Sequence, residues 1–255
     1  MRMTVIGCSG SFAGPDSAAS CYLVEAVDPD DPGRTWRVLL DLGSGALGAL
    51  QRYASPLDVD AVLFSHLHPD HYFDISGLYV MWKYHPEGPR SPIPVHGPVG
   101  VGAQAARSYG LPDDPGMSAE FDFHEYAEAP VVVGPITIRP VRVVHPVPAY
   151  ALRVEADGAV LTYSGDTGPC DALVETAKGA DLLLCEAAFQ TGGRNPSDLH
   201  LTGADAAAAA AAAGAGRLVL THIPPWHDKQ VALDEARAGY DGPVELAATG
   251  ATYDL

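Results

Sequence analysis

Apolar residues occur along the chain in short blocks separated by turn-forming residues. The blocks are rich in Val, Leu, Ile and Tyr and are bounded by Gly, Pro and Asp, a pattern typical of β-strands. It predicts strands over residues 2–8, 20–27, 36–41, 59–65, 131–144, 150–156, 159–164, 181–185, 217–221 and 244–248. Apolar residues spaced for one face of a helix predict helices over residues 74–84, 99–109, 170–178, 203–213 and 229–238.

The order of these elements indicates how they pack. The first half of the chain is mostly strands, the second half alternates strands and helices, and no linker-like segment separates the two. We therefore predict an α/β protein with one domain over residues 1–255, in which two sheets are covered by helices. The alanine-rich stretch 206–213 fits a helix lying close against a sheet, and Thr202, with Asp205 three residues later, predicts its N-cap.

The charge of the chain is strongly acidic and restricts its partners. Among 255 residues, 32 acidic residues outnumber 15 basic ones, which gives a net charge of −17. RNA or DNA would meet a repulsive surface, which disfavours a nucleic-acid partner. A small phosphorylated substrate is not excluded, because a local cluster of cations can override the field of the whole protein.

The cysteines and the apolar runs indicate the compartment. Cys8, Cys21, Cys170 and Cys185 have no CxxC spacing, and buried reduced thiols are a better interpretation than disulfides. The first residues lead directly into a strand, and no run reaches the roughly 20 apolar residues that a membrane span needs. We expect a cytoplasmic protein with no membrane partner, and a homodimer is left open.

The segment FSHLHPDHYFD (residues 64–74) carries the strongest chemical signal. It places His66, His68, Asp70 and His71 directly after an apolar run that reads as a buried strand. Imidazoles and carboxylates are zinc-type ligands, and two histidines separated by one residue on an extended segment point the same way. Asp70 and His71 follow Pro69, turn away and would serve a second ion. The segment therefore predicts a metal site.

Ligand-type residues also follow other predicted strands. His66, His145, Asp166, Glu186 and His222 each stand at or just beyond the carboxyl end of a different strand. In a layered α/β protein this edge carries the loops that build sites on a rigid scaffold. We therefore expect these five side chains to meet at one site.

Several of these motifs resemble those of the metallo-β-lactamase superfamily. The motifs are HLHPDH (66–71), His145, YSGDTG (163–168), THIPPW (221–226) and LLDLGSG (39–45). The resemblance implies a four-layer αββα sandwich and two divalent metal ions, Zn²⁺ by preference and Mn²⁺ as the alternative. It implies that one ion is held by His66, His68 and His145 and the other by Asp70, His71 and His222. Asp166 would bridge the two ions, and Asp41 would support the site from behind.

Two further segments resemble the ribonuclease Z-like phosphodiesterase branch of this superfamily. LCEAAF (184–189) contains Glu186 and DLHLTG (198–203) contains His200. The resemblance implies that this pair donates a proton to the leaving oxygen, and that Asp70, Glu186 and His200 are the catalytic residues. From the residues alone, the less favoured alternatives are a capping or salt-bridged carboxylate for Glu186 and a loop histidine facing water for His200.

One further comparison of segment lengths and motifs bears on the substrate. Enzymes that process tRNA carry a long arm between the equivalents of His145 and Asp166, where this chain has only twenty residues, enough for a hairpin. The segments at 7–24, 47–56, 163–175 and 220–226 are similar to those of actinobacterial atypical class II cyclic-AMP phosphodiesterases. The resemblance implies hydrolysis of a small cyclic nucleotide, above all 3′,5′-cyclic AMP to 5′-AMP.

Other interpretations stay open from the sequence. The chain could be a ribonuclease Z-like RNA 3′-end endonuclease, a hydrolase of lactones or thioesters, or a non-catalytic metal-binding protein. Trp226 could stack on a purine, as could Tyr72 and Phe189, although aromatic residues more often pack in a core or at its rim. The remaining histidines lack ligand spacing and are expected outside the site: His85, His96, His124 and His227.

Overall fold

Two mixed β-sheets lie face to face between two layers of helices in the computed structural model of the chain, which describes residues 1–88 and 90–255. The first sheet has the order β15-β1-β3-β4-β5-β6-β7, with β2 paired to β1. Its strands are β1 (Arg2–Ser9), β2 (Ala18–Ala19), β3 (Cys21–Val27), β4 (Thr35–Leu40), β5 (Ala61–Leu63), β6 (Ile93–Gly97), β7 (Phe121–Glu125) and β15 (Thr252–Asp254).

The second sheet has the order β14-β13-β12-β11-β10-β9-β8. Its strands are β8 (Val131–Val133), β9 (Ile136–Arg142), β10 (Tyr150–Ala156), β11 (Ala159–Tyr163), β12 (Leu182–Glu186), β13 (Leu218–Thr221) and β14 (Val244–Leu246). The strands from β8 to β11 form antiparallel hairpins, whereas β11 to β14 are parallel and connected through helices. The carboxyl ends of β11, β12 and β13 therefore meet at one edge of the sheet.

Helices cover the outer face of each sheet. On the first sheet these are α1 (Ala46–Leu50), α2 (Pro69–Tyr72), α3 (Ile75–Tyr84) and α4 (Val101–Tyr109), with a 3₁₀ turn at Pro56–Asp58. On the second sheet they are α5 (Asp171–Ala177), α6 (Gly203–Ala213) and α7 (Lys229–Gly239). The predicted cap of α6 is confirmed, because the Thr202 hydroxyl accepts from the Asp205 amide and the Asp205 carboxylate accepts from the Thr202 amide.

The alternation of side chains along the strands creates three apolar layers. In β12, Leu182 and Leu184 face the other sheet, whereas Leu183 and Cys185 face α5 and α6. Because both faces are covered, the parallel strands are apolar at almost every position. The four layers confirm the predicted αββα sandwich, and the four cysteines are free thiols, as expected.

The predicted strand 131–144 is wrong as a single element. It is the hairpin β8–β9, and its turn is at Gly134, which has φ +54°. A side chain there would also be excluded, because a Cβ would lie 2.3 Å from the ring of Trp36. At its other end β9 stops at Arg142, so His145 lies in a loop three residues beyond the strand.

The sequence pattern also missed several elements and displaced others. Neither β6 nor β7 was predicted, and α1, α2, β2 and β15 were missed as well. The limits of the other elements lie within two residues of the predicted ones; β5, at residues 61–63, is two residues shorter at each end than the predicted 59–65. Within the described residues, none of the helices combines the length and the hydropathy that a membrane crossing requires.

Candidate metal centre

The backbone passes from extended to helical within the segment that carries four candidate ligands. His66 and His68 lie on an extended stretch after β5, and His68, with φ −78° and ψ 147°, is the N-cap of α2. Pro69 is the first residue of that helix, where the missing amide costs nothing. Asp70 and His71 therefore project from a helical turn rather than from an extended chain. This switch separates the four side chains into the two predicted pairs.

The first pair meets two residues from the second sheet. Nε2 of His66 lies 3.0 Å from Nδ1 of His68, which is 3.3 Å from Nε2 of His145. Oδ2 of Asp166 lies 3.6 Å from Nε2 of His66. One atom of each of these four residues lies within 4.8 Å of the others, so together they could hold one metal ion.

The second pair meets Asp166 and His222. Nε2 of His71 lies 3.1 Å from Nε2 of His222 and 3.3 Å from Oδ1 of Asp166. Oδ2 of Asp70 lies 3.1 Å from Nε2 of His222. These four residues form a second group whose ligand atoms converge within 4.8 Å, and Asp166 belongs to both groups.

The donor set fits metal ions better than it fits a hydrogen-bond network. Among the described residues, Oδ1 of Asp166 and Nδ1 of His222 are buried without a hydrogen-bond partner. Leaving buried polar atoms unpaired is costly, and a cation bound between them would satisfy both. Neutral imidazole nitrogens and carboxylate oxygens are the ligands that zinc and similar ions take in proteins.

The charge states also favour cations at this position. Burial lowers the pKa of His66, His68 and His145, which keeps these rings neutral and able to act as ligands. Burial opposes ionisation of Asp166, but the neighbouring histidines prevail and hold its pKa well below the usual range. Against the effect of burial, the negative charges of Asp166 and Asp41 raise the pKa of His71. The pocket therefore stabilises positive charge between these side chains.

Asp41 orients His71 from the far side of the ring. Its Oδ2 lies 2.7 Å from Nδ1 of His71 and accepts a hydrogen bond of 2.7 Å from the Tyr163 hydroxyl. The amide and hydroxyl of Ser65 donate to the two oxygens of Asp41 at 2.6 and 2.8 Å. A proton on Nδ1 of His71 leaves the lone pair of Nε2 facing the cluster. The carbonyl of Leu199, 2.9 Å from Nδ1, orients His145 in the same way.

The sequence of the chain matches a known protein family. A model of the family described as a β-lactamase superfamily domain matches residues 36–223. The chain belongs to the β-lactamase superfamily. An uncharacterized protein of Mycobacterium leprae is 46% identical over 261 residues, covering 100% of this chain and 89% of the relative.

Two further relatives are named as a probable metallo-hydrolase and a ribonuclease Z, and the second name is that of the predicted branch. A probable metallo-hydrolase of Bacillus subtilis, YhfI, is 30% identical over 261 residues, and the match covers 100% of this chain and 100% of the relative. The crystal structure of YhfI superposes with a TM-score of 0.86 at 28% identity, covering 99% of this chain and 98% of YhfI. Ribonuclease Z of Myxococcus xanthus is 31% identical over 275 residues, covering 86% of this chain and 88% of the relative.

The predicted pair of Glu186 and His200 lies beside the cluster of candidate ligands. Nδ1 of His200 is 2.9 Å from Oε1 of Glu186, which is completely buried and also accepts from the Thr167 amide at 2.9 Å. Burial alone would lower the pKa of His200, but the charge and hydrogen bond of Glu186 raise it to about 9. Nδ1 of His200 lies 3.9 Å from Oδ2 of Asp166, so this ring borders the cluster.

The structure thus brings together all of the predicted ligands, with Asp41 behind them and Glu186 and His200 beside them. Trp226 lies outside the cluster and is 63% exposed. Sequence reasoning missed Ser65, Tyr163 and Thr167, which hold the carboxylates in place. Ser65 directly precedes His66, and Tyr163 and Thr167 lie within the motif YSGDTG. This proximity to motif residues is the only sequence signal that pointed to them.

Proposed function

We propose that the chain is a dinuclear metal phosphodiesterase that hydrolyses a small cyclic nucleotide, 3′,5′-cyclic AMP, to 5′-AMP. The two ions would be Zn²⁺, or Mn²⁺ in its place, held by His66, His68, His145, Asp70, His71 and His222, with Asp166 shared. The observation that supports a phosphodiester substrate is the ion pair between the buried Glu186 and the partly buried His200 at the edge of the cluster. A proton donor at that point suits an alkoxide leaving group.

The residues of this chain divide the work as follows. The chemistry that bound ions supply is activation of a water and neutralisation of phosphate charge. Water attacks phosphorus, and the bond from phosphorus to the 3′ oxygen breaks. Nδ1 of His200 is engaged by Glu186, so Nε2 delivers the proton to the departing 3′ oxygen. Glu186 keeps the imidazolium protonated before the step and aligned during it.

The size and charge of the surface favour a small substrate. A cyclic mononucleotide carries one negative charge, whereas a tRNA needs many cationic contacts over a wide area. The chain offers 15 basic residues against 32 acidic ones. Between His145 and Asp166 it has only the hairpin β10–β11, whose turn at Asp157–Gly158 leaves no arm to grip RNA.

Ribonuclease activity is the second candidate, and one observation favours it. Ribonuclease Z of Myxococcus xanthus is 31% identical to this chain across most of both proteins. RNA cleavage would use the same ion pair of Glu186 and His200 for its leaving oxygen. The two candidates therefore differ in how the substrate is held and not in the chemistry.

A hydrolysis screen separates the candidates. The metal-loaded protein is assayed with cyclic AMP, other cyclic mononucleotides, a linear dinucleotide, pre-tRNA and a lactone. We expect turnover of cyclic AMP to 5′-AMP and negligible cleavage of pre-tRNA. Efficient cleavage of pre-tRNA without turnover of any cyclic nucleotide would overturn the proposal in favour of ribonuclease activity.

A further inference from the structure

Two exposed aromatic rings contact each other next to the metal centre. The ring centroids of Phe12 and Trp226 are 5.1 Å apart, with an angle of 41° between the ring planes. Phe12 is 44% exposed and Trp226 is 63% exposed, so neither ring is part of the core. Large aromatic side chains contribute most when they are covered, and this pair presents a bare aromatic surface to solvent.

A tight turn brings Phe12 to this position. The amide of Phe12 donates to the carbonyl of Gly10 at 2.7 Å, which makes a γ-turn with Ser11 at its centre. Ser11 has φ +64°, a conformation that residues other than glycine rarely adopt. Gly10 must lack a side chain, because a Cβ would lie 2.2 Å from the carbonyl oxygen of His222. Strain of this kind persists where the surrounding structure holds it, often at functional sites.

The second loop starts at a candidate ligand. His222 also has a positive φ, +55°, and lies directly against the γ-turn. The amide of Ser11 points at Nε2 of His222 at 3.4 Å, and the amide of Gly10 donates to the carbonyl of Ile223 at 3.3 Å. Phe12 is therefore one residue beyond a direct contact with the ligand cluster. Trp226 follows His222 by four residues through Ile223 and two prolines.

We propose that Phe12 and Trp226 form a stacking platform for the purine of the cyclic nucleotide whose phosphate occupies the metal centre. This inference rests on the proposed function and assigns binding of the base to Phe12, a residue for which the sequence predicted no role. A planar base has a π-face that stacks on aromatic rings without needing a charged partner. Stacking suits this protein, because its acidic surface offers few cations to hold a nucleotide.

The decisive experiment compares a substrate that has a base with one that lacks it. The substrates are cyclic AMP and 1-deoxyribose 3′,5′-cyclic phosphate, which carries the same cyclic phosphate and no base. We expect Phe12→Ala and Trp226→Ala to raise KM for cyclic AMP by roughly tenfold or more, the scale of base–aromatic stacking. On the abasic substrate both variants should match the wild type, and Phe12→Tyr should retain wild-type KM for cyclic AMP.

A matched control removes an exposed aromatic ring elsewhere. Tyr84 is 64% exposed at the end of α3, on the outer layer of the first sheet. Tyr84→Ala should leave both substrates unaffected. Equal losses of Phe12→Ala on both substrates would mean that the residue supports the fold of the site and would overturn the platform while leaving the phosphodiesterase proposal intact.

Equilibrium binding gives a readout that does not depend on turnover. The chain has three tryptophans, and of these Trp226 is the exposed one. We expect 5′-AMP to quench the fluorescence of the metal-loaded protein and ribose 5-phosphate to leave it unchanged, with the quench lost in Trp226→Phe. Absence of quenching by 5′-AMP would overturn the platform. If quenching occurs but the wild type hydrolyses no cyclic nucleotide, the proposed function fails and the platform stands.

Discussion

Nδ1 of His71 lies 2.7 Å from Oδ2 of Asp41, and both side chains are completely buried. The opposite nitrogen of the ring faces Asp70, Asp166 and His222. Asp41 therefore determines the tautomer of His71, and with it the lone pair that the cluster offers to a metal ion.

Replacing Asp41 by Asn should weaken metal binding while keeping the fold. Asp41 has φ +61°, which asparagine tolerates well, and the two side chains have the same shape. The side-chain NH₂ of the asparagine would face hydrogen-bond donors, among them Nδ1 of His71. The ring proton of His71 would then move to Nε2, so its lone pair would no longer face the site. We expect a loss of about 10–100-fold in metal affinity, measured by titration against a competing chelator.

Asp74→Asn is the matched control for this experiment. The Asp74 carboxylate accepts from the Leu47 amide at 2.9 Å and has no contact with the cluster among the described residues. The metal affinity of the Asp74→Asn variant should equal that of the wild type. An unchanged affinity in Asp41→Asn would remove the supporting role from Asp41.

Two metal ions per chain are expected because Asp166 completes both ligand groups. Elemental analysis after gentle purification should give close to two equivalents of zinc, manganese or a similar ion. Asp166→Ala should reduce occupancy of both sites, whereas His68→Ala should affect one. A single equivalent in the saturated wild type, together with unchanged content in Asp166→Ala, would rule out the dinuclear arrangement.

His200→Ala should lose catalysis without losing metal, because its ring is bonded to Glu186 and belongs to neither of the two ligand groups that share Asp166. General acid catalysis typically contributes about 10²–10⁴-fold, and we expect a loss of that size in kcat for cyclic AMP. A nitrophenyl phosphodiester needs no proton on its leaving group, so the variant should recover most of its deficit on that ester. Equal deficits on the two substrates would assign His200 another role.

Salt should distinguish a single bound phosphate from a polyanion. Binding of a polyanion weakens steeply with salt in proportion to the phosphates it neutralises. We expect kcat/KM for cyclic AMP to change little between low and physiological salt, because one phosphate is engaged. A steep decline with salt would indicate a substrate held by many surface contacts.

The stability of the protein should fall in mild acid through His96. Burial and the neighbouring charge of His124, whose ring stacks on it at 4.8 Å, lower the pKa of His96 to about 4. An unfolded histidine titrates near about 6.5, so between these values the unfolded chain binds a proton that the folded chain does not. The free energy of unfolding therefore decreases as pH falls from about 6.5 to about 4.

Urea unfolding of the chelated protein at several pH values checks this expectation. His96→Gln should lose less stability than the wild type as the pH falls through this window. The histidines of the metal centre are common to both proteins and cancel in the comparison. Parallel stability curves for the two proteins would contradict the assignment to His96.

The candidate ligands could be predicted because their residue types and spacing are recognisable in the sequence alone. His66, His68, Asp70 and His71 lie within six residues, His222 directly follows β13, and Asp166 lies three residues beyond β11. The order of strands and helices likewise indicated two covered sheets. In both cases a local pattern was sufficient, because neighbouring residues impose the geometry.

What the sequence could not provide depends on distant parts of the chain. The short strand β6 contains Pro94 and ends at Gly97, so it resembles a turn in sequence; pairing with β5 and β7 and the burial of Ile93 and Val95 hold it in place. The contact of Phe12 with Trp226 joins opposite ends of the chain and has no local pattern. Tyr163 reaches Asp41 across the interface between the sheets, where only the packed fold reveals it.

Each ligand group draws residues from both sheets. His66, His68, Asp70 and His71 follow a strand of the first sheet, whereas His145, Asp166 and His222 follow strands of the second. Neither sheet alone contains a complete site, so an ion gains its full set of ligands only after the sheets have docked. Metal binding would then be coupled to docking of the two sheets, and bound ions would stabilise the docked arrangement. Chelation should loosen the interface between the sheets before it unravels either sheet.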